Sequence, residues 1–189
     1  MDDQLSRFAL VVVDAQQGFN DPSWGSRNNP QCDANIEALV EAWSAASRPL
    51  VYVRHDSESP RSPLRPSSPG NALKPYLRAE PDLLVTKSVN SAFHGSPDLH
   101  AWLVSQRVEG IVVCGITTNH CCETTARVGG NLGHRVLFAL DATHTFDRRG
   151  PDGDVVSADE LSRVTGVNLH GEFAEVVRSA DLLEGVLSG

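Results

Sequence analysis

Cys121 stands just after a turn rich in threonine and asparagine, within the stretch VVCGITTNHCCETTARVGG at residues 112–130. If Thr118 or Asn119 caps the helix that follows, this cysteine lies in the first helical turn. The N–H groups and the dipole at that end of a helix stabilise a thiolate, and they can also stabilise the oxyanion of a bound carbonyl. From these residues alone, Cys121 is interpreted either as a nucleophile or as a small buried hydrophobic residue.

The remaining cysteines fit structural roles. Cys32 begins a helical pattern, Cys114 lies in a predicted strand, and Cys122 directly follows the predicted nucleophile. A redox role for the pair Cys121–Cys122 is a competing hypothesis, but redox pairs normally have a spacer and adjacent thiols form a strained bridge. Because the four cysteines show no paired spacing, we expect a reducing, cytoplasmic location.

Several short apolar runs predict the strands that must position this thiol. They are rich in β-branched residues, are bounded by turn residues, and cover 8–14, 49–55, 82–87, 109–115, 134–141 and 174–179. Helical patterns lie between them over 32–48 and 96–107, the second with Ser96 as cap and Pro97 as first residue, and SADE at 157–160 has the form of a capping box. This alternation predicts a three-layer α/β/α, Rossmann-like fold with a six-stranded parallel sheet in the order 3-2-1-4-5-6.

The length and the charge of the chain restrict its class. Its 189 residues suit a single domain over 1–189. The net charge of -8, without a basic patch, argues against binding to nucleic acid or to a membrane surface. The apolar run near the N-terminus is too short to span a bilayer and follows no signal-peptide pattern, so we expect a soluble protein of the cytoplasm.

The predicted sheet brings candidate functional residues together at the edge formed by the carboxyl ends of its strands. Such sheets bind ligands at the carboxyl ends of the strands, next to the point where the strand order reverses. Asp14 ends the first predicted strand and Gly115 ends the fourth, so both lie at that point. A Pro- and Ser-rich segment, 56–75, is long for a connection in a compact domain, and it is interpreted either as a lid or binding loop or as a flexible surface loop.

Three blocks of sequence resemble one enzyme family. They are VVVDAQQGF at 11–19, VTKSVNSAF at 85–93 and VVCGITTNHCCETTARVGGNLGHRVLFALDAT at 112–143. In this order and spacing they resemble the isochorismatase-like cysteine hydrolase superfamily, which includes nicotinamidases and N-carbamoylsarcosine amidases. The resemblance implies a homo-oligomer, a dimer or a tetramer, in which the segment 56–75 would close the active site of a partner subunit.

The resemblance also implies a catalytic triad of Asp14, Lys87 and Cys121. Asp14 would take the thiol proton and return it to the leaving nitrogen, while the Lys87 ammonium would hold both partners in their charged forms. We therefore expect the sulfur of Cys121 to be ionised at neutral pH. Strand spacing separates the strands of Lys87 and Asp14 by about 9–10 Å, so the lysine must lean inward or its loop must fold back. The family further implies a cis peptide bond between Ile116 and Thr117, with oxyanion N–H groups from Thr117 and Cys121.

The sequence departs from the family pattern at the metal-binding motif of nicotinamidases. Nicotinamidases hold a divalent metal through an Asp-x-His motif after the second strand, but here Val53 and Arg54 precede His55. Asp56 is the remaining candidate ligand, and a catalytic metal site usually needs three protein ligands. We therefore predict no metal and no cofactor. True isochorismatases lack the nucleophilic cysteine, so the thiol disfavours cleavage of a vinyl ether.

Together these features predict a metal-independent cysteine hydrolase that cleaves a C–N amide bond of a small molecule through a thioester acyl-enzyme. The alternatives are a nicotinamidase-like or isochorismatase-like hydrolase of another bond type, and a non-catalytic binding protein on the same fold. Residues near the predicted strand ends are candidate substrate contacts: Phe19, Trp24, His55, Asn90, Phe93 and His120. His55 is equally well interpreted as a structural histidine. Arg54, Arg61 and Arg65 could receive a substrate carboxylate or be solvated.

Overall fold

A parallel sheet forms the centre of the computed structural model, which describes residues 5–187. Within those residues, six strands pair side by side and in parallel: β1 Phe8–Val13, β2 Leu50–His55, β3 Leu83–Lys87, β4 Gly110–Ile116, β5 Arg135–His144 and β6 Glu175–Val177. Their order across the sheet is β3-β2-β1-β4-β5-β6 when only these strands are numbered. The predicted order is confirmed.

Helices cover both faces of the sheet. In the described part of the chain the α-helices are α1 Cys32–Ala45, α2 Leu99–Ser105, α3 Glu123–Asn131, α4 Ala158–Leu169 and α5 Ser179–Leu187. Alternate residues of β1 enter two separate apolar clusters, because successive side chains of a strand point to opposite faces. Leu10 packs with residues of α1 and α5, and Val11 packs with residues of α2 and α3. None of the helices over residues 5–187 has the length and apolar character needed to cross a bilayer.

The start of α2 differs from the predicted start. Asp98 caps the helix by accepting a hydrogen bond from the N–H of Ala101, whereas Ser96 and Pro97 lie outside it. Ser96 is engaged elsewhere, since its backbone N–H and carbonyl both bond to Thr86 on β3. The predicted cap of α4 is confirmed, because the Ser157 side chain accepts from the N–H of Glu160.

The carboxyl ends of β1 and β4 meet closely. Gly115 lies opposite Val13 with φ of +124°, and a Cβ at this position would overlap the Val13 carbonyl oxygen. Only glycine permits this approach without strain. Asp14 follows with φ of +49°, a conformation uncommon for residues other than glycine, asparagine and aspartate. Strained backbone of this kind recurs at functional sites, and here it lies at the point where the strand order reverses.

Candidate active site

Asp14 and Lys87 form a buried ion pair at this edge of the sheet. Lys87 is the last residue of β3 and lies in register with His55 on β2. Its side chain leans inward across the end of β2, so that Nζ lies 2.6 Å from Oδ2 of Asp14. Both side chains are 0% exposed. The long side chain of Lys87 therefore spans the distance from β3 to β1, which is one of the two possibilities that the sequence analysis left open.

Cys121 completes the cluster from the other side of the reversal point. A carboxylate oxygen of Asp14, a ring nitrogen of His55 and Sγ of Cys121 all lie within 4.8 Å of one another. The thiol is 8% exposed and lies 3.8 Å from Oδ1 of Asn90, which accepts its weak hydrogen bond. The structure thus brings together Asp14, Lys87 and Cys121, which are far apart in the sequence.

A π-helical turn, Thr118–Cys122, carries the thiol and leads into α3. The turn begins after Thr117, so the predicted capping by Thr118 or Asn119 is wrong. Those two side chains instead bond to Thr143 and Thr145 at the end of β5. The peptide bond between Ile116 and Thr117 is cis.

The π-helical turn also changes which backbone N–H groups form hydrogen bonds within the turn. In an α-helix the Thr117 carbonyl would accept from the N–H of Cys121, four residues on. Here it accepts from the N–H groups of His120 and Cys122, each at 3.2 Å. The N–H of Cys121 is therefore left out of the usual helical pattern, next to its own sulfur. Sequence patterns give no signal for this shift, because a π turn and an α turn accept the same residues.

The protonation state of the site differs from the expected one. Burial raises the pKa of the Cys121 thiol and the Asp14 carboxylate raises it further, while Lys87 acts in the opposite direction. These influences together favour a neutral thiol in the free protein at neutral pH, which differs from the ionised sulfur expected from the sequence. A helix start favours a thiolate, but in this cluster burial and the adjacent carboxylate outweigh that effect.

A neutral thiol needs a base to remove its proton before it can attack, and the carboxylate of Asp14 lies close to this thiol. Oδ2 of Asp14 accepts from Lys87, whereas Oδ1 is buried and has no hydrogen-bond partner among the described residues. Burial lowers the pKa of Lys87, but Asp14 and Cys121 raise it by more, so the ammonium is retained. An unpartnered carboxylate oxygen beside a neutral thiol is suited to accept the thiol proton as a general base.

Alkylation measures this protonation state directly. We expect iodoacetamide to label Cys121 slowly at neutral pH and faster as the pH rises through and above the ordinary range of a thiol. Asp14→Asn should raise the rate at neutral pH by about tenfold or more, since each unit by which the thiol pKa falls raises the thiolate fraction tenfold. The measurement is the time course of labelling at each pH, followed by peptide mapping.

The other thiols supply the internal control for that experiment. Cys32, Cys114 and Cys122 are buried, and burial raises the pKa of each. They should label more slowly than Cys121 in both proteins. Rapid labelling of wild-type Cys121 at neutral pH, with a slower rate in Asp14→Asn, would contradict the neutral resting thiol.

The residues present do not fit the divalent metal site of nicotinamidases. Val53 is fully buried in the apolar core, and Asp56 is bound by the guanidinium of Arg54 and by the side-chain amide of Asn71. The group Asp14, His55 and Cys121 has suitable ligand atoms, but the Lys87 ammonium contacts the first two of them. A cation already lies where a metal ion would have to bind, so metal independence stays our prediction.

His55 belongs to this cluster as a neutral side chain. Burial lowers its pKa, and so does the positive charge of Lys87. Its Nδ1 lies 3.2 Å from Nζ of Lys87, and an ammonium can only donate, so Nδ1 accepts and the proton resides on Nε2. Gln16 fixes the backbone at this position through bonds from its side chain to both the N–H and the carbonyl of His55. His55 therefore lines the pocket and is also held structurally.

The pocket above the thiol has a volume of about 130 Å³. Five of the six predicted substrate contacts line it: Phe19, Trp24, His55, Asn90 and His120. Phe93 is the exception, and its prediction as a substrate contact is wrong. Its ring stacks on His134 with centroids 5.8 Å apart and packs in the apolar cluster below the sheet, because the short helix Ala92–His94 turns it away.

Some lining residues were not found from the sequence. Leu64 comes from the segment 56–75 and forms part of the pocket wall, where Asn71 of the same segment donates to the carbonyls of His55 and Leu64. Phe146 and Arg148 come from the end of β5 and from a short hairpin, Arg148–Arg149 with Val155–Val156. Arg54, Arg61 and Arg65, the loop arginines considered above, do not line the pocket.

Comparisons with known proteins agree with this architecture. The model of the isochorismatase domain matches residues 8–168. The isochorismatase family protein YrdC of Bacillus subtilis is 34% identical over 176 residues, which cover 93% of this chain and 94% of that protein. Nicotinamidase 3 of Arabidopsis thaliana is 28% identical over 193 residues, which cover 95% of this chain and 88% of that protein.

A solved structure extends the agreement to three dimensions. The crystal structure of a hydrolase of the isochorismatase family from Chromobacterium violaceum is 39% identical and superposes with a TM-score of 0.91. The match covers 97% of this chain and 95% of that one. The resemblance noted from the sequence is thereby confirmed, and the chain belongs to the isochorismatase family of hydrolases.

Proposed function

We propose that this protein is a metal-independent cysteine hydrolase that cleaves a C–N amide bond of a small molecule. The observation that carries the proposal is the convergence of Asp14, Lys87 and Cys121 in one buried cluster that opens into a small pocket. A nucleophile, a base and a group that fixes the charge of the base are the parts that nucleophilic acyl transfer requires.

In the first half of the proposed reaction, the thiol attacks the amide carbonyl. Oδ1 of Asp14 accepts the thiol proton as the bond between Sγ of Cys121 and the carbonyl carbon forms. The N–H groups of Thr117 and Cys121 donate to the developing oxyanion. Asp14 then returns the proton to the nitrogen, the C–N bond breaks, and ammonia or an amine leaves behind a thioester on Cys121.

Hydrolysis of the thioester reuses the same base. Asp14 accepts a proton from a water molecule as its oxygen attacks the thioester carbon, and the oxyanion again forms beside Thr117 and Cys121. The bond between the carbon and Sγ then breaks, the Cys121 thiolate takes the proton from Asp14, and the carboxylic acid product departs. Lys87 stays protonated throughout, because the adjacent carboxylate of Asp14 raises its pKa, and its ammonium pairs with that carboxylate between steps.

The comparisons support the class of reaction. One relative is named a nicotinamidase, so a carboxamide is a substrate within this family. The present chain has the aspartate, the lysine and the cysteine at the carboxyl edge of the sheet, but it lacks the carboxylate of the metal motif at Val53. We therefore propose amide hydrolysis without a metal ion.

A panel of small primary amides, ureas and lactams tests the proposal through release of ammonia or amine. We expect turnover of at least one member, and we expect the rate to stay within about twofold after dialysis against EDTA, because no step depends on a metal. Adding back zinc or manganese should not raise the rate. A rate that EDTA abolishes and a divalent metal restores would overturn the metal-independent reaction.

A further inference from the structure

We propose that Arg148 makes the pocket selective for amides that also carry a carboxylate or a similar anionic group. This inference rests on the proposed amide hydrolysis, and it names the substrate class of the same site. Its basis is the charge balance of the described residues that line the pocket, together with the position and the free donors of Arg148.

The catalytic cluster contributes no net charge to the pocket. Asp14 is paired with Lys87 at 2.6 Å, so a carboxylate and an ammonium cancel. His55 and His120 are neutral at neutral pH, because burial lowers the pKa of both, as does a nearby cation in each case. For His120 that cation is Arg148, so the guanidinium lies close to this wall of the pocket.

Arg148 is therefore the uncompensated charge of the pocket lining. Over the described residues its guanidinium makes no hydrogen bond or ion pair with the protein, and its side chain is exposed to solvent. The carboxylate of Glu123 raises the pKa of His120, but it already accepts hydrogen bonds from Arg127 and Thr165. An arginine fork with unused donors at a pocket wall is suited to bind a carboxylate.

The neighbouring residue Arg149 does not share the position of Arg148 in the pocket lining. Arg148 and Arg149 are consecutive in one strand of the short hairpin, so their side chains point to opposite sides. The guanidinium of Arg149 donates to the carbonyl of Gly153 within the hairpin and does not line the pocket. The protein as a whole carries a net charge of -8, so attraction of an anion to this site must come from the local charge of Arg148.

The rest of the pocket limits the size of the ligand. Phe19, Trp24 and Phe146 form an aromatic wall with ring centroids 5.1 to 6.3 Å apart. A cavity of about 150 Å³ holds one benzene molecule, and this pocket has about 130 Å³. The substrate class is therefore a short or flat molecule with one amide and one anionic group.

Matched substrates that differ only in charge test the proposal. In such a pair, beginning with succinamate and succinamide, a carboxamide replaces the carboxylate without a change in size. We expect kcat/KM of the wild type to favour the anionic member, and Arg148→Ala to lower it by about 10- to 100-fold for that member alone. Arg148→Lys should give an intermediate loss, and Arg149→Ala, the matched control, should leave both values unchanged.

A binding measurement separates this inference from the proposed reaction. Calorimetric titration of the Cys121→Ala protein with the same pairs, with and without Arg148→Ala, reports recognition when no turnover takes place. Tighter binding of the anionic members that depends on Arg148 supports the inference even if amide hydrolysis fails. Equal binding of both members, or equal losses for both in Arg148→Ala, would overturn it while leaving amide hydrolysis standing.

Discussion

Replacing Cys121 by alanine should lower kcat/KM for amide hydrolysis by about 10⁴-fold or more, because the remaining groups cannot form the thioester. The loss should be in kcat, since the pocket that binds the substrate is otherwise intact. Cys121→Ser should also lose most of its activity, because Asp14 would have to take a proton from a hydroxyl, which is far less acidic than a thiol.

The adjacent cysteine is the matched control for this experiment. Cys122 is fully buried in the apolar cluster beneath the turn, so Cys122→Ala removes a thiol at the next position without touching the pocket. We expect this variant to keep its activity within about tenfold and to lose up to a few kcal/mol of unfolding free energy, as a small cavity does. Activity in Cys121→Ala that matches the wild type would exclude Cys121 as the nucleophile.

Asp14→Asn should abolish turnover and also destabilise the fold. The substitution removes the proposed base, and it leaves the Lys87 ammonium fully buried without a carboxylate partner. Breaking a buried ion pair on one side costs about 3–5 kcal/mol of unfolding free energy. The free energy of unfolding in urea and kcat are the two quantities to measure.

The double variant Asp14→Asn/Lys87→Met separates these two effects. Because the buried cation is removed as well, much of the lost stability should return, as it does when apolar residues replace buried pairs. Turnover should not return. An Asp14→Asn protein that unfolds like the wild type, or a double variant that regains turnover, would contradict the roles given to this pair.

The pH dependence of stability follows from Lys87. Its pKa in the folded protein lies above the ordinary value, so its contribution is complete below the ordinary lysine pKa and is lost as the pH rises through the folded value. The difference in unfolding free energy between the wild type and Asp14→Asn should therefore persist across neutral pH and become smaller as the pH rises into strong alkali. An exposed pair, Arg7–Glu109, is the control: Glu109→Gln should change the unfolding free energy by about 1 kcal/mol or less.

The sheet could be predicted from the sequence because its signal is local. Buried parallel strands appear as continuous apolar runs, and the connection rules then leave few possible orders. The ends of the elements were less predictable, as Ser96 shows: a Ser-Pro pair resembles a helix start, but a backbone ladder with Thr86 holds Ser96 at the edge of β3.

The candidate site could be predicted in part. Asp14, Lys87 and Cys121 were identified by motif, but the charge of the thiol depends on burial and on the distance to Asp14, which no motif contains. Phe93 was misplaced because a hydrophobic residue near a site has the same pattern whether it faces ligand or core. Arg148 was missed because a hairpin with two-residue strands has no periodicity to detect.

Rapid-quench mass spectrometry of the intact protein during turnover tests the central claim most directly, namely that Cys121 carries the acyl group of the substrate. We predict a transient increase in mass equal to the substrate acyl group minus one hydrogen, mapped to the peptide that contains Cys121 and absent from Cys121→Ala. Turnover without any acylated protein on the millisecond-to-second timescale, or an acyl group on another residue, would contradict the account.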